Sequence, residues 1–315
     1  MKYPIGLQSF EDIRKSKFLY VDKTDMVYNL TRDGKYYFLS RPRRFGKSLL
    51  VSTLEAYFSG KKELFAGLAI DSLEKEWASY PVLHLDLNTD NYKTEGALEL
   101  RLTLAITQWE SIYGRYELEK TLSQRFEGVI ERAYKKTGKQ VVILVDEYDK
   151  PLLQAIGNNE LQSDYRGLLK SVYGALKSQD RYIRFALLTG VTKFGKVSVF
   201  SDLNNLQDLS MDEEYQALCG VTQDELETIF AEPIKQLATK YKLSVEEALC
   251  RLKERYDGYH FVENGIGIYN PFSLLNTFKR LQFGSYWFET GTPTYLVELL
   301  KQDNYRLPNL TTEGS

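Results

Sequence analysis

The sequence predicts a three-layer α/β sandwich, a mostly parallel sheet covered by helices on both faces, followed by a smaller helical or winged-helix unit. Three observations carry this expectation. Short apolar runs alternate with longer amphipathic stretches through the first two thirds of the chain, the pattern of strands joined by crossover helices. Residues 141–145 are apolar at every position, as a strand buried on both faces requires. Beyond residue 211 the runs give way to helical spacing, and then to aromatics and turn residues.

Taken in order, strands are expected at residues 36–40, 81–87, 141–145 and 185–189, with a weaker fifth near 206–209. Between the first two, Leu49, Leu50, Thr53, Leu54, Tyr57 and Phe58 recur at helical spacing, and Gly60 stands where a left-handed residue caps a helix. Residues 97–113 and 118–136 read as helices separating the second strand from the third. In the last third, 223–241 reads as one helix and 244–256 as another, the latter opened by the capping-box pair Ser244 and Glu247. A boundary near Ser210 divides the chain into a core of residues 1–210 and a smaller unit of residues 211–315. No internal repeat or low-complexity segment appears.

A chain of 315 residues suits one large domain and a smaller one, and 43% hydrophobic residues suffice for a substantial core. With 41 basic against 43 acidic residues, the molecule as a whole does not attract nucleic acid or an anionic membrane by bulk charge. Neither a signal-peptide stretch nor a run of roughly 18 apolar residues occurs, so a cytoplasmic protein with no membrane association is expected. Cys219 and Cys250 stand apart from each other and from histidines, which suits free thiols in a reducing compartment.

The chemistry-bearing stretch is Ser40-Arg41-Pro42-Arg43-Arg44-Phe45-Gly46-Lys47-Ser48-Leu49, lying between a predicted strand and a predicted helix. That is the context of a phosphate-binding loop, in which helix-terminal amides face an anion. Gly46 would admit the phosphates close to the backbone, Lys47 would set its ammonium against the β and γ oxygens, and Ser48 would offer its hydroxyl to magnesium, Mg2+. Arg43, Arg44, Phe45 and Leu49 complete the expected nucleotide-binding stretch. The pattern G-x-x-x-x-G-K-[ST] has glycine where this chain has Arg41, and an ordinary basic loop opening a helix would carry similar residues. Arg41, Arg43 and Arg44 either stabilise phosphoryl charge, serve a neighbouring subunit or polynucleotide, or are simply solvated.

A second motif raises the expectation. The apolar run ends in Asp146 and Glu147, about a hundred residues after Lys47, and ligands of open α/β sheets bind beyond the carboxyl ends of strands. Asp146 would hold the metal, while Glu147 would orient and deprotonate the attacking water. The strand at 185–189 ends in Thr189, followed by Thr192 and Lys193. If it lies between the other two, Thr189 or Thr192 senses the γ-phosphate or positions the water. Asp22, Lys23 and Thr24 precede the loop, either as base-side contacts or as a helix cap. His84 reads as a hydrogen-bonded core residue. Tyr256, Tyr259, Phe261, Tyr286, Trp287 and Phe288 read as filling the core of the smaller unit rather than stacking on bases, and Arg251 or Arg255 as reaching toward the nucleotide.

Together, Tyr20-Val21-Asp22-Lys23-Thr24, the R-P-R-R-F-G-K-S loop, Val145-Asp146-Glu147-Tyr148-Asp149-Lys150-Pro151 and Leu188-Thr189-Gly190-Val191-Thr192-Lys193 resemble the predicted AAA-ATPase-like family of bacterial proteins. Tyr256-Asp257-Gly258-Tyr259, Tyr269-Asn270-Pro271 and the stretch from Tyr286 to Pro293 resemble its later blocks, so the likeness extends over nearly the whole chain. The resemblance implies that Arg41 is a family trait, that ATP is preferred to GTP, and that a lid follows the ATPase core. Relatives commonly continue into a nuclease-like domain of the PD-(D/E)XK type, which suggests nucleic acid as a partner through a domain not seen here; the chain then reads as a truncated piece or a short member. The expected function is Mg2+-dependent ATP binding and hydrolysis driving a conformational change in a larger assembly, with homo-oligomerisation open. Two rivals stand beside it: an ATP-binding switch with little hydrolysis, and an ATPase stimulated by DNA or RNA.

Overall fold

The computed structural model describes residues 1–193, 199 and 206–286. Its centre is a five-stranded sheet of β1 (Tyr36–Ser40), β2 (Val82–Asp86), β3 (Val141–Asp146), β4 (Ile183–Gly190) and β5 (Gln207–Asp208). The spatial order is β2-β3-β4-β1-β5, and every pairing is parallel. All five expected strands are present within two residues of their expected ends, and β4 does lie between β1 and β3.

Period-two alternation sorts the strand residues into two cores. Tyr36, Phe38, Val141, Ile143, Val145, Ala186 and Leu188 face one side, with the long helices α5 (Ala97–Tyr113), α6 (Leu122–Thr137) and α8 (Asn159–Tyr173). Tyr37, Leu39, Val142, Leu144, Phe185 and Leu187 face the other, with α1 (Phe10–Lys15), α2 (Thr24–Asp33), α3 (Lys47–Phe58) and α4 (Ala69–Leu73). Short helices α7 (Lys150–Gln154) and α9 (Ala175–Ser178) complete the connections between β3 and β4. These are the three layers of the predicted sandwich, the architecture of the P-loop NTPases.

Helix α5 has its expected bounds. Helix α6 starts four residues later than expected, because the hydroxyl of Thr121 caps Gln124 and the Gln124 side chain returns to the Thr121 amide, a capping box that fixes the start. The single helix expected over 223–241 is two: α10 (Gln223–Ile229) and α11 (Ala231–Tyr241). Pro233 has no N–H to give the carbonyl of Ile229, so the ladder cannot run through. The Ser244–Glu247 box opens α12 (Val245–Tyr256) as expected.

The chain then forms an antiparallel pair, β6 (Asp257–Tyr259) and β7 (Ile268–Tyr269), and α13 (Pro271–Arg280). A third apolar cluster gathers Leu226, Phe230, Leu237, Leu252, Tyr269, Leu274 and Phe278, and Tyr3, Leu19 and Val21 from the amino-terminal segment pack against it. Trp287, Phe288 and the family block running to Pro293 lie outside the described residues. Among the described residues, no helix is long and apolar enough to cross a membrane.

Candidate functional site

Strand β1 delivers its last residue, Ser40, to the carboxyl edge of the sheet, where the chain turns through 41–46 into α3. Gly46 is the N-cap of α3 with φ +94°, a left-handed conformation that glycine adopts freely. Nothing lies within 4 Å of where a Cβ on Gly46 would stand, so the space over the helix terminus is open. Unpaired N–H groups and the positive end of the helix dipole face that space, the arrangement that attracts phosphate.

Lys47 is buried. Its ammonium donates to the carbonyls of Arg41 (3.0 Å) and Pro42 (3.3 Å) and forms an ion pair with Glu147 Oε1 at 3.1 Å. The cation near the start of the chain and the acid at its middle therefore meet at the same sheet edge. Asp146 is buried at the end of β3, and its carboxylate accepts a hydrogen bond from the Thr189 hydroxyl at the end of β4. The same hydroxyl accepts the amide of Glu147 at 3.3 Å. Glu147 has φ +55°, which costs a non-glycine residue about 1–2 kcal/mol, and this backbone directs its side chain at Lys47. Ser48 and Leu49, both half-buried, occupy the first turn of α3. Among the described residues no three His, Cys, Asp or Glu side chains cluster as a metal site. A magnesium ion shared between phosphate oxygens, water and one or two protein oxygens needs no such cluster.

The arginines separate. Arg43 and Arg44 are exposed at the loop's outer face, Arg44 stacking on Phe272 with 4.1 Å from guanidinium to ring centre. Arg41 is 1% exposed and turned away from the loop's mouth: its guanidinium donates to the carbonyls of Ser40 (3.0 Å), Ser210 (2.9 Å) and Tyr215 (3.3 Å), and stacks on Phe261 at 3.9 Å. Phe45, buried, meets Tyr259 and Phe261 edge-on at 4.6 and 5.6 Å. Two of the aromatics expected in a separate small core thus grip the phosphate loop, because the loop itself offers them an arginine face and a phenyl ring. Tyr256 does join the third cluster.

The sequence model of the predicted AAA-ATPases matches residues 4–200. The chain belongs to this AAA-ATPase-like family. It is also 40% identical over 311 residues to a protein of Azotobacter chroococcum described as an uncharacterized protein in the vnfD 5' region, an alignment covering 98% of this chain and 58% of that protein. The chain therefore spans less than two thirds of that relative's length. No solved structure matches it.

Beside the phosphate loop of this AAA-ATPase-like chain is a mostly apolar cavity of about 110 Å³. Its walls come from three places: Leu19 and Val21 near the amino terminus, Gly46 and Leu49 at the start of α3, and the 218–221 segment with Phe230 and Leu274. Lys23 lines it too and is ion-paired with Glu225 of α10. Asp22 does not line it. Its carboxylate accepts the Thr24 amide and hydroxyl (2.9 and 2.7 Å) and the Ala69 amide (2.8 Å), so Asp22 rather than Thr24 serves the start of α2. Both cysteines are free; Cys219 borders the cavity, and burial raises its thiol pKa. Arg251 and Arg255 stack on Phe283, at 4.8 and 5.8 Å, instead of reaching the loop. Lys193 is paired with Asp208 at 3.1 Å, and His84 with Glu55 at 3.0 Å.

Asp149 stands in the family-like block 145–151, but the sequence assigned it no role of its own. It is fully buried, accepts the amides of Val191 and Thr192 and the hydroxyl of Thr192, and is held by burial, then by the nearby charge of Glu147, at a pKa of about 6. Its position three residues past Asp146, just before Lys150-Pro151 opens a helix, was the available signal.

Proposed function

We propose that this chain binds ATP with Mg2+ and hydrolyses its γ-phosphate by attack of water. The observation that carries the reading is the convergence of Lys47 and Glu147, 3.1 Å apart, beside an open helix terminus with glycine at its cap. Membership of a family of predicted AAA-ATPases supports it. The apolar cavity next to Gly46, with Leu49 and Val21 among its walls, suits a purine base.

In this reading Lys47 leaves the two loop carbonyls and takes the β and γ oxygens, with the amides of 44–48 around the phosphates and Arg43 or Arg44 at their outer side. Ser48 and Asp146 would hold a magnesium ion, whose charge would stabilise the transferring phosphoryl group. Glu147, freed from Lys47 as the phosphates take the ammonium, accepts a proton from the attacking water. Thr189 acts one step back: its hydroxyl is engaged by Asp146 and the Glu147 amide, so it orients both acids. Loss of the γ-phosphate returns Lys47 to Glu147 and the Arg41 carbonyl. Since the guanidinium of Arg41 holds residues 210 and 215, this is a route by which hydrolysis moves a lid formed by residues 211–286.

ATP turnover and equilibrium nucleotide binding test the reading together. Glu147→Gln should keep ATP affinity within a few-fold and lower kcat by about 10²–10³; Lys47→Ala should abolish binding. Unchanged phosphate release in Glu147→Gln alongside lost binding in Lys47→Ala would favour a nucleotide-gated switch over an ATPase.

A further inference from the structure

Two turns meet at the carboxyl edge of the sheet, 146–149 after β3 and 189–192 after β4, and they are fastened to an unusual degree. The Tyr148 amide donates to the Thr189 carbonyl at 2.8 Å, and the Tyr148 hydroxyl to the Thr192 carbonyl at 3.0 Å. From the other side Oδ2 of Asp149 accepts the Thr192 amide at 2.7 Å, the Thr192 hydroxyl at 2.9 Å and the Val191 amide at 3.0 Å. Gly190 lies between: a Cβ there would stand 2.5 Å from the Tyr148 ring and 2.9 Å from Asp149 Oδ1. The turns close on each other only because residue 190 has no side chain.

We propose that Asp149 is a positioning residue for the hydrolysis, its carboxylate bolting the 189–192 turn to the acidic turn and so fixing where Glu147 points. The inference rests on the ATPase reading of the site. Glu147 is in a left-handed backbone, its amide tied to Thr189 and its carbonyl to the Lys150 amide at 3.0 Å. That conformation persists only if its surroundings enforce it. The residues on either side of Thr189 and Glu147 are pinned through Tyr148 and Asp149, so the aim of the general base depends on this latch. A carboxylate is also a costly choice for the task. The groups facing Asp149 are Glu147, the hydroxyl of Thr192 and the buried phenol of Tyr173, with no cation paired to Asp149 among the described residues, and burial disfavours its charged form. Buried acids held at such a cost are found where orientation matters more than stability.

The test compares Asp149→Asn, Asp149→Ala and Gly190→Ala in kcat, KM, ATP affinity and melting temperature. Asn keeps one oxygen at the Oδ2 position and sheds the buried charge. Asp149→Asn should retain kcat within about three-fold at pH 8 and melt no lower than the parent. Asp149→Ala should lose kcat by ten-fold or more with ATP affinity unchanged. Gly190→Ala, which leaves the carboxylate in place but forces the turns apart, should reproduce that loss. A parent kcat preserved in both alanine variants would overturn the inference while leaving the ATPase reading intact; loss of ATP affinity in step with kcat and melting temperature in both alanine variants would assign Asp149 a purely structural role. A parent protein that binds no ATP would sink the underlying reading instead.

Discussion

Arg41 shows how far one residue's role can sit from its position in a motif. It occupies the place where a phosphate loop usually begins with glycine, and from sequence it groups naturally with Arg43 and Arg44 around a phosphate. Apart from the adjacent Ser40 carbonyl, its partners Ser210, Tyr215 and Phe261 lie 169 or more residues away, and no local spacing encodes such contacts. By contrast Lys47, Asp146 and Glu147 were legible because they follow strands recognisable by their apolar runs, Asp146 and Glu147 directly at the end of β3 and Lys47 across the short turn from β1 into α3. Replacing Arg41 with alanine should cost roughly 2–4 kcal/mol of stability, since it strands two buried carbonyls and removes a cation from the face of Phe261. Lysine should restore little of it, because one ammonium cannot span the same carbonyls and stack on the ring. Urea unfolding of Arg41→Ala and Arg41→Lys checks this; unchanged unfolding with a raised KM for ATP would return Arg41 to the phosphate.

At the scale of elements, the strands were readable because burial on both faces leaves an uninterrupted apolar signature, and because period-two alternation assigns every apolar residue of β1 and β3 to one core or the other. Helix ends were less readable where capping, not hydrophobicity, sets them. The amphipathic pattern before α6 continues back to Leu118, yet Thr121 and Gln124 satisfy each other's amides and begin the helix there. The same competition broke the 223–241 helix at Phe230, where Pro233 withdraws a donor. Thr121→Ala should therefore destabilise the protein by about 1 kcal/mol, and Gln124→Ala should add little once Thr121 is gone, because the two bonds form one reciprocal unit. Chemical unfolding of the two single variants and the double variant decides it; strict additivity would mean that the two bonds act independently, and no loss in any variant that packing alone holds the helix start.

At the scale of the whole molecule, the cavity beside the phosphate loop draws together distant parts of the chain. The amino-terminal segment, α3 and the helices after residue 218 each supply a wall of it. Tyr3, Leu19 and Val21 pack on the third apolar cluster, and Lys23 reaches Glu225, which ties the first residues of the chain to the last third. This joining of distant segments was invisible to a boundary drawn near Ser210 where the pattern of apolar runs changes, because it depends on contacts between residues some two hundred positions apart. It also separates two accounts of the residues after 211. If they form a lid over the nucleotide, ATP with magnesium should slow hydrogen exchange in α10 and α13 as well as in α3, and at a hundred-fold excess over Kd should stabilise the native state by about 2.7 kcal/mol in one cooperative transition. Glu225→Gln, which removes the partner of Lys23 at the cavity wall, should weaken that protection in α10 while leaving the phosphate loop's own amides protected. Slowed exchange confined to α3 and the ends of β3 and β4, with α10 and α13 indifferent to ATP, would mean that the site is complete without the last third and that those helices serve another purpose.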